Sequence, residues 1–574
     1  MNSRFAVLAV VAVLALAGVA VGGAAAEHDE PVEEDEIAEV QTVGPSSDTG
    51  EVTVDYSYHI GGEVAGLEVT LPETVEVTGL HGFDPADEPR TYRWDEQTAE
   101  PTIETTYAVN ETGSGGLTSV DTAEWTMVAA PNERSTAIGY RVQPGTDVSV
   151  DYRTTVEGSG DAGENMVYLG EFEQRTVGDA TVVISDAAEV DESTIETVGR
   201  ALADSTAALD SDDEVTLFVA AEPLRSGGLA IGDDFWVRDE VLPPAVTLWH
   251  EFTHTQQEYD PTADSEWSIE GGADYLGALL ALRQGEIQYD EFRNRLAVGN
   301  THDVSLADSD TWEGTRANYE LGALVLAALD REMRDGSGSY EALLQAKNGK
   351  ERVSDAEFEA LAGDVAGTDL SEFFDTHVRS PPPEIDVPLP TIYDAGNDDA
   401  AVSLTAANLT TSEDPAPVTV ELGNGGTETA LAPTLTLAPS DGATVSVRSD
   451  SVTEVDDRLV FDHLGPGESV ETTVLVGHGG ENASLSLTVE DMSGNSDAAE
   501  TSVTVVAGDS EAGDDEVADD DSTADTGDDE TQASASTDDG ESGDDDGAGF
   551  GIVAVAGALA GLALLARRWQ PQEN

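Results

Sequence analysis

The chain of 574 residues has no cysteine, which removes disulfide bridges, thiolate nucleophiles and cysteine-ligated metals together. Basic residues are scarce as well, with 24 Lys+Arg against 117 Asp+Glu and a net charge of -93. No basic patch can form to meet phosphates, so nucleic acid is excluded as a partner. The same field disfavours an acidic substrate. Aromatic residues make up only 6%, yet 39% of the chain is hydrophobic, enough for buried cores. Histidine occurs nine times, and any metal must be held by these imidazoles or by carboxylates.

Two of the nine fall in His250-Glu251-Phe252-Thr253-His254, an HExxH pentapeptide. At this composition accidental matches are expected roughly 0.03 times in such a chain. Residues four apart share a helix face, so both imidazoles can address one cation with Glu251 beside it. Pro243-Pro244 fit a helix start, and Ala245, Val246, Leu248, Trp249 and Phe252 give that helix an apolar surface to bury. Two imidazoles do not complete a catalytic zinc site, so a third ligand must come from elsewhere.

Downstream lies Trp267-Ser268-Ile269-Glu270-Gly271-Gly272-Ala273-Asp274-Tyr275, followed later by Asn318-Tyr319-Glu320-Leu321-Gly322-Ala323-Leu324-Val325-Leu326 and Leu370-Ser371-Glu372-Phe373-Phe374. With the HExxH helix, these stretches resemble, in the same order, the elements of gluzincins, zinc metallopeptidases whose third ligand is a glutamate. The resemblance covers roughly residues 160 to 380 and implies Zn2+ held by His250, His254 and Glu270. It implies that Asp274 holds a ligand imidazole, that Tyr319 donates to the oxyanion, and that Glu251 is the general base for a zinc-activated water. The substrate implied is a peptide or protein. Classical aminopeptidases of the group have a longer gap before the glutamate and a loop glutamate that grips the substrate's amino terminus. Here Gly227-Gly228-Leu229-Ala230-Ile231-Gly232-Asp233-Asp234 stands in that place without it. The short gap, with Gln257 closing an HExTHxxQ pattern, looks closer to the peptidase-MA-like branch, which leaves exo- and endopeptidase action both open.

The ends of the chain read as address and anchor. Arg4, an apolar run from Phe5 to Val21 and Ala24-Ala25-Ala26 have the layout of a signal peptide over 1–26. Residues 508–547 are acidic and low in complexity, which predicts a disordered tether. Residues 548–566 are apolar and precede Arg567-Arg568, the pattern of one transmembrane helix with a cytoplasmic tail over 567–574. The acid-rich composition resembles that of haloarchaeal proteins, and Gly549-Phe550-Gly551 with the apolar run resembles their PGF-type sorting signal, with Ala548 in place of Pro. The implied location is the outer face of the cell membrane, held by the C-terminal helix or a lipid anchor, with surface-layer association. Asn110-Glu111-Thr112, Asn408-Leu409-Thr410 and Asn482-Ala483-Ser484 are glycosylation sequons.

Between the ends, the expected fold class is multidomain. An acidic linker over 27–49 leads into a β-rich N-terminal domain over 50–185, and an α-rich (α+β) gluzincin/thermolysin-like catalytic domain follows over 186–380. A linker over 381–400 leads to a C-terminal immunoglobulin-like β-sandwich over 401–507. Ser193-Thr194-Ile195-Glu196 predicts a capping box opening a helix. The alternative function left open is a surface adhesion or structural protein carrying a vestigial peptidase domain.

Overall fold

The computed structural model describes residues 35–506, apart from 111, 114–115, 132–135, 143–146, 210–213, 243–245 and 449–451. The expected signal peptide, tether, 548–566 span and tail lie outside the described residues, as do Pro243 and Pro244. Among the described residues no helix is long and apolar enough to cross a membrane.

The expected fold class is corrected by the structure. The chain is β-rich, 39% strand against 25% helix, and the region expected to be an α-rich catalytic domain is built on a sheet. Five strands lie in the order Phe172–Val177, Ala180–Ser185, Val215–Ala220, Asp234–Arg238 and Gly228–Ile231. The central three run parallel, and an antiparallel strand flanks them on each side. Helix α1 (Glu192–Ala208) connects two of the parallel strands.

The core strands carry no hydrophobic alternation because both faces of the sheet are covered. Val182, Leu217, Val219, Phe235 and Val237 belong to the helix-side core, while Val183, Phe218, Ala220 and Trp236 pack with Trp125, Met127, Met166 and Tyr168 on the other face. Two of these strands lie before residue 186, so the expected boundary at 185 cuts through the sheet. Residues 36–45, expected in a linker, form a strand that pairs with Glu51–Ile60 and Ser149–Val156. The start of α1 differs too. Its N-cap is Asp191, whose carboxylate accepts from the Thr194 backbone N–H, in place of Ser193.

The N-terminal part forms further sheets of five, four and four strands. The C-terminal part consists of sheets of four and six strands around a shared core, with strands such as Ala483–Glu490 alternating strictly between buried and exposed. It meets the helical region through Leu431, Ala432, Val460 and Met492, and through His463, which bonds Ile287 and Gln288.

Helices α2 (Val246–Thr255), α3 (Trp267–Arg283), α4 (Tyr289–Ala297) and α5 (Ala317–Asp335) follow the sheet. Every residue of α3 except Ile269 and Arg283 is buried, so this helix is wrapped on all sides. Glycine sets how closely its neighbours approach. A Cβ on Gly277 would stand 2.8 Å from the His250 backbone nitrogen, and one on Gly271 would stand 2.8 Å from the Gly322 backbone of α5. Helix α3 therefore touches α2 and α5 at backbone distance, and its carboxylates are fixed relative to both.

Gly277→Ala should push α2 off α3. The expected cost is about 1–3 kcal/mol in unfolding free energy, with weaker zinc retention than wild type. Unchanged stability and zinc retention would show that the close approach does not set the site.

Candidate metal centre

Helix α2 presents its two histidines to α3. Asp274 Oδ1 lies 2.9 Å from His250 Nδ1 and, as a carboxylate, accepts its proton. Gln257 Nε2 donates to the Ile269 carbonyl at 2.9 Å, which turns its Oε1 towards His254 Nδ1 at 2.8 Å. Both Nδ1 atoms thus act as donors, and both Nε2 atoms are left with lone pairs facing inward.

Those two Nε2 atoms lie 3.1 Å apart, and Glu270 Oε2 lies 3.5 Å from each. The three atoms form the one group of three or more His, Asp or Glu ligand atoms with metal-holding spacing among the described residues. Tetrahedral bonds of about 2.0–2.1 Å separate their ligand atoms by roughly 3.3–3.4 Å, close to the triangle seen here. Glu270 Oε2 is buried and accepts no hydrogen bond, a costly arrangement that a cation would satisfy. The donor set fits zinc.

Electrostatics follow from two carboxylates on a buried helix. Burial would raise Glu270, but His254 and His250 outweigh it and hold the carboxyl below its ordinary range. Burial acts the same way on Asp274, where His250 and Arg295 outweigh it. Arg295 of α4 donates to Asp274 Oδ1 at 3.2 Å. Burial works to lower His250, yet Asp274 and Glu270 push it up to about 10. The field that attracts a cation thus attracts a proton in its absence, so metal loading should release protons.

Glu251 and Tyr319 lie at the same cavity as these ligands. Burial raises the Glu251 carboxyl, against the pull of both imidazoles. Gly228 lies so close that a Cβ there would meet Glu251 Cγ at 2.6 Å, so glycine is what gives this side chain its room. Tyr319 of α5 stacks on His250, with ring centroids 6.1 Å apart and planes 8° from parallel. Burial and the Glu270 charge raise its phenol, which stays a neutral donor. His250, Glu251, His254, Glu270 and Tyr319 all line one cavity of about 200 Å³, and Asp274 sits behind His250. His377 packs on Phe373 and is not part of this group.

Sequence reasoning missed Arg225, Arg295 and Gly228, and it left Gln257 without a role. Gln257 was within reach through its position three residues after His254. The others come together only through the fold.

No family model matches the chain, and no curated protein matches it in sequence. Several solved structures have a similar chain course. An M1 zinc metallopeptidase from Deinococcus radiodurans shares 15% identity at a TM-score of 0.41, covering 62% of this chain and 95% of that one. Legionella pneumophila aminopeptidase A in complex with aspartic acid shares 13% at 0.37, covering 78% and 57%. Yeast LTA4 hydrolase shares 10% at 0.34, covering 61% and 69%.

Asp274→Asn keeps the shape but removes the charge that orients His250. Zinc affinity should fall about 10–100-fold in competition with a fluorescent chelator. An unchanged affinity would remove Asp274 from the site.

Proposed function

We propose that the chain is a zinc metallopeptidase that hydrolyses peptide bonds in the cavity between α2, α3 and the edge strand Gly228–Ile231. The observation that carries this reading is the convergence of His250, His254 and Glu270 on one point, with Glu251 at its side. His250, His254 and Glu270 would hold zinc, which when bound would lower the pKa of a water towards about 7 and polarise a carbonyl.

The protein's own groups supply the rest. Glu251, raised by burial, takes a proton from the attacking water and hands it to the leaving amine. Tyr319 keeps its phenol proton and donates it as a hydrogen bond to the oxygen on which charge develops. Asp274 and Gln257 hold the two imidazoles in the tautomer that leaves Nε2 as ligand. Gly228–Ile231 ends its sheet, and Leu229 and Ala230 line the cavity. The outer edge of such a strand offers main-chain donors and acceptors to an extended peptide. That is the support for a peptide substrate.

Glu251→Gln tests the reading. Zinc content should match wild type while peptide hydrolysis falls about 10²–10⁴-fold. No zinc in either protein, or no hydrolysis by wild type, would leave the vestigial, non-enzymatic reading in possession, and equal turnover by both would remove Glu251 as the base.

A further inference from the structure

The net charge of the whole chain argues against an acidic substrate, but the cavity wall has a different balance. Arg225 lines it, although this residue is only 6% exposed. Its Nη2 donates to the Gly228 carbonyl at 2.8 Å, and its backbone N–H donates to the Leu117 carbonyl at 2.9 Å. The guanidinium is therefore held at the entry to the edge strand, beside the cavity that contains Glu251.

Among the described residues, Arg225, Glu251 and Glu270 are the Arg, Lys, Asp and Glu side chains that line the cavity. Both carboxylates have work already, one as base and one as ligand. An ammonium group would need a third carboxylate, and the edge strand contributes Leu229 and Ala230 to the cavity wall instead. A dication, one guanidinium and two carboxylates leave one net positive charge in the loaded site. Surface carboxylates oppose this weakly, because salt screens them beyond about 10 Å at 0.1 M, while the buried charges are screened far less.

We propose that the cavity recognises a carboxylate on its peptide substrate through Arg225, an inference that rests on the peptidase reading above. The carboxylate belongs either to the peptide's C-terminus or to an acidic side chain next to the scissile bond. Guanidinium and carboxylate pair by charge-assisted hydrogen bonds, among the stronger polar contacts in proteins. The consequence is a substrate class defined by negative charge in a protein whose overall charge repels it.

The test uses the full chain loaded with zinc and two matched pairs of quenched fluorescent peptides. One pair differs only in a free or amidated C-terminus, the other only in Asp or Asn beside the scissile bond. Wild type should favour the carboxylate member of one pair by about ten- to hundred-fold in kcat/KM, mostly through KM. The pair that shows the preference identifies the source of the carboxylate. Arg225→Gln should bring that ratio to about one, and Arg225→Lys should retain part of it. Ala230→Glu, which adds a carboxylate to the wall, should also lower the ratio and provides a second variant if Arg225→Gln does not fold. A purely structural Arg225 would lower both members equally and leave the ratio intact, which overturns the proposal. Wild-type ratios near one in both pairs also overturn it, while the peptidase reading stands. If no peptide is cleaved, both fall. Equilibrium binding of acetylated dipeptides to the zinc-loaded Glu251→Gln chain gives a readout without turnover. The free acid should bind more tightly than the amide, and adding Arg225→Gln should reduce that preference.

Discussion

Three lone pairs aimed at one buried point are the constraint on which the rest of the site depends. Two imidazole nitrogens 3.1 Å apart and a carboxylate oxygen 3.5 Å from each would repel one another without a positive charge between them. Burying that arrangement is expensive. The surrounding structure maintains it by hydrogen-bonding the outward-facing nitrogens of both imidazoles. Asp274 accepts a hydrogen bond from His250 Nδ1, Gln257 Oε1 accepts one from His254 Nδ1, and Arg295 compensates Asp274 in turn. The atom at the centre left without a hydrogen bond is Glu270 Oε2.

Rigid placement supports this electrostatic design. Carboxylate and imidazoles arrive on different helices, so a shift of α2 against α3 changes every ligand separation at once. The glycine contacts remove freedom in that direction, since backbone meets backbone at Gly277 and again at Gly271 with Gly322. Gly228 does the same on the sheet side, where the edge strand passes close enough to Glu251 to fix its side chain. Sheet, α2, α3 and α5 thus form one packed unit around the cavity, covered on the far side of the sheet by Trp125, Met127, Met166 and Tyr168.

What could be read in advance follows from how local each feature is. The HExxH helix and the helix carrying Glu270 and Asp274 are legible because spacing along a helix determines which side chains share a face. Their mutual approach is a tertiary fact, set by the backbone contacts at Gly277 and Gly271. The sheet was underweighted for a physical reason. Phe235, Trp236 and Val237 point to alternate faces, yet both faces are buried, so the alternation in space leaves none in hydrophobicity. Asp191 competed with Ser193 as helix cap, and the aspartate two residues earlier prevailed. Arg225 and Arg295 are far from the motif in sequence and carry no pattern of their own.

The central claim is that His250, His254 and Glu270 form one zinc site, and X-ray absorption at the zinc edge tests it most directly. A chain this acidic will collect stray cations on surface carboxylates, so stoichiometry alone does not decide the matter. After dialysis, the account predicts one retained zinc per chain with two imidazole nitrogens at about 2.0–2.1 Å and the remaining ligands oxygen. No retained zinc, or a shell made only of oxygen, would contradict it.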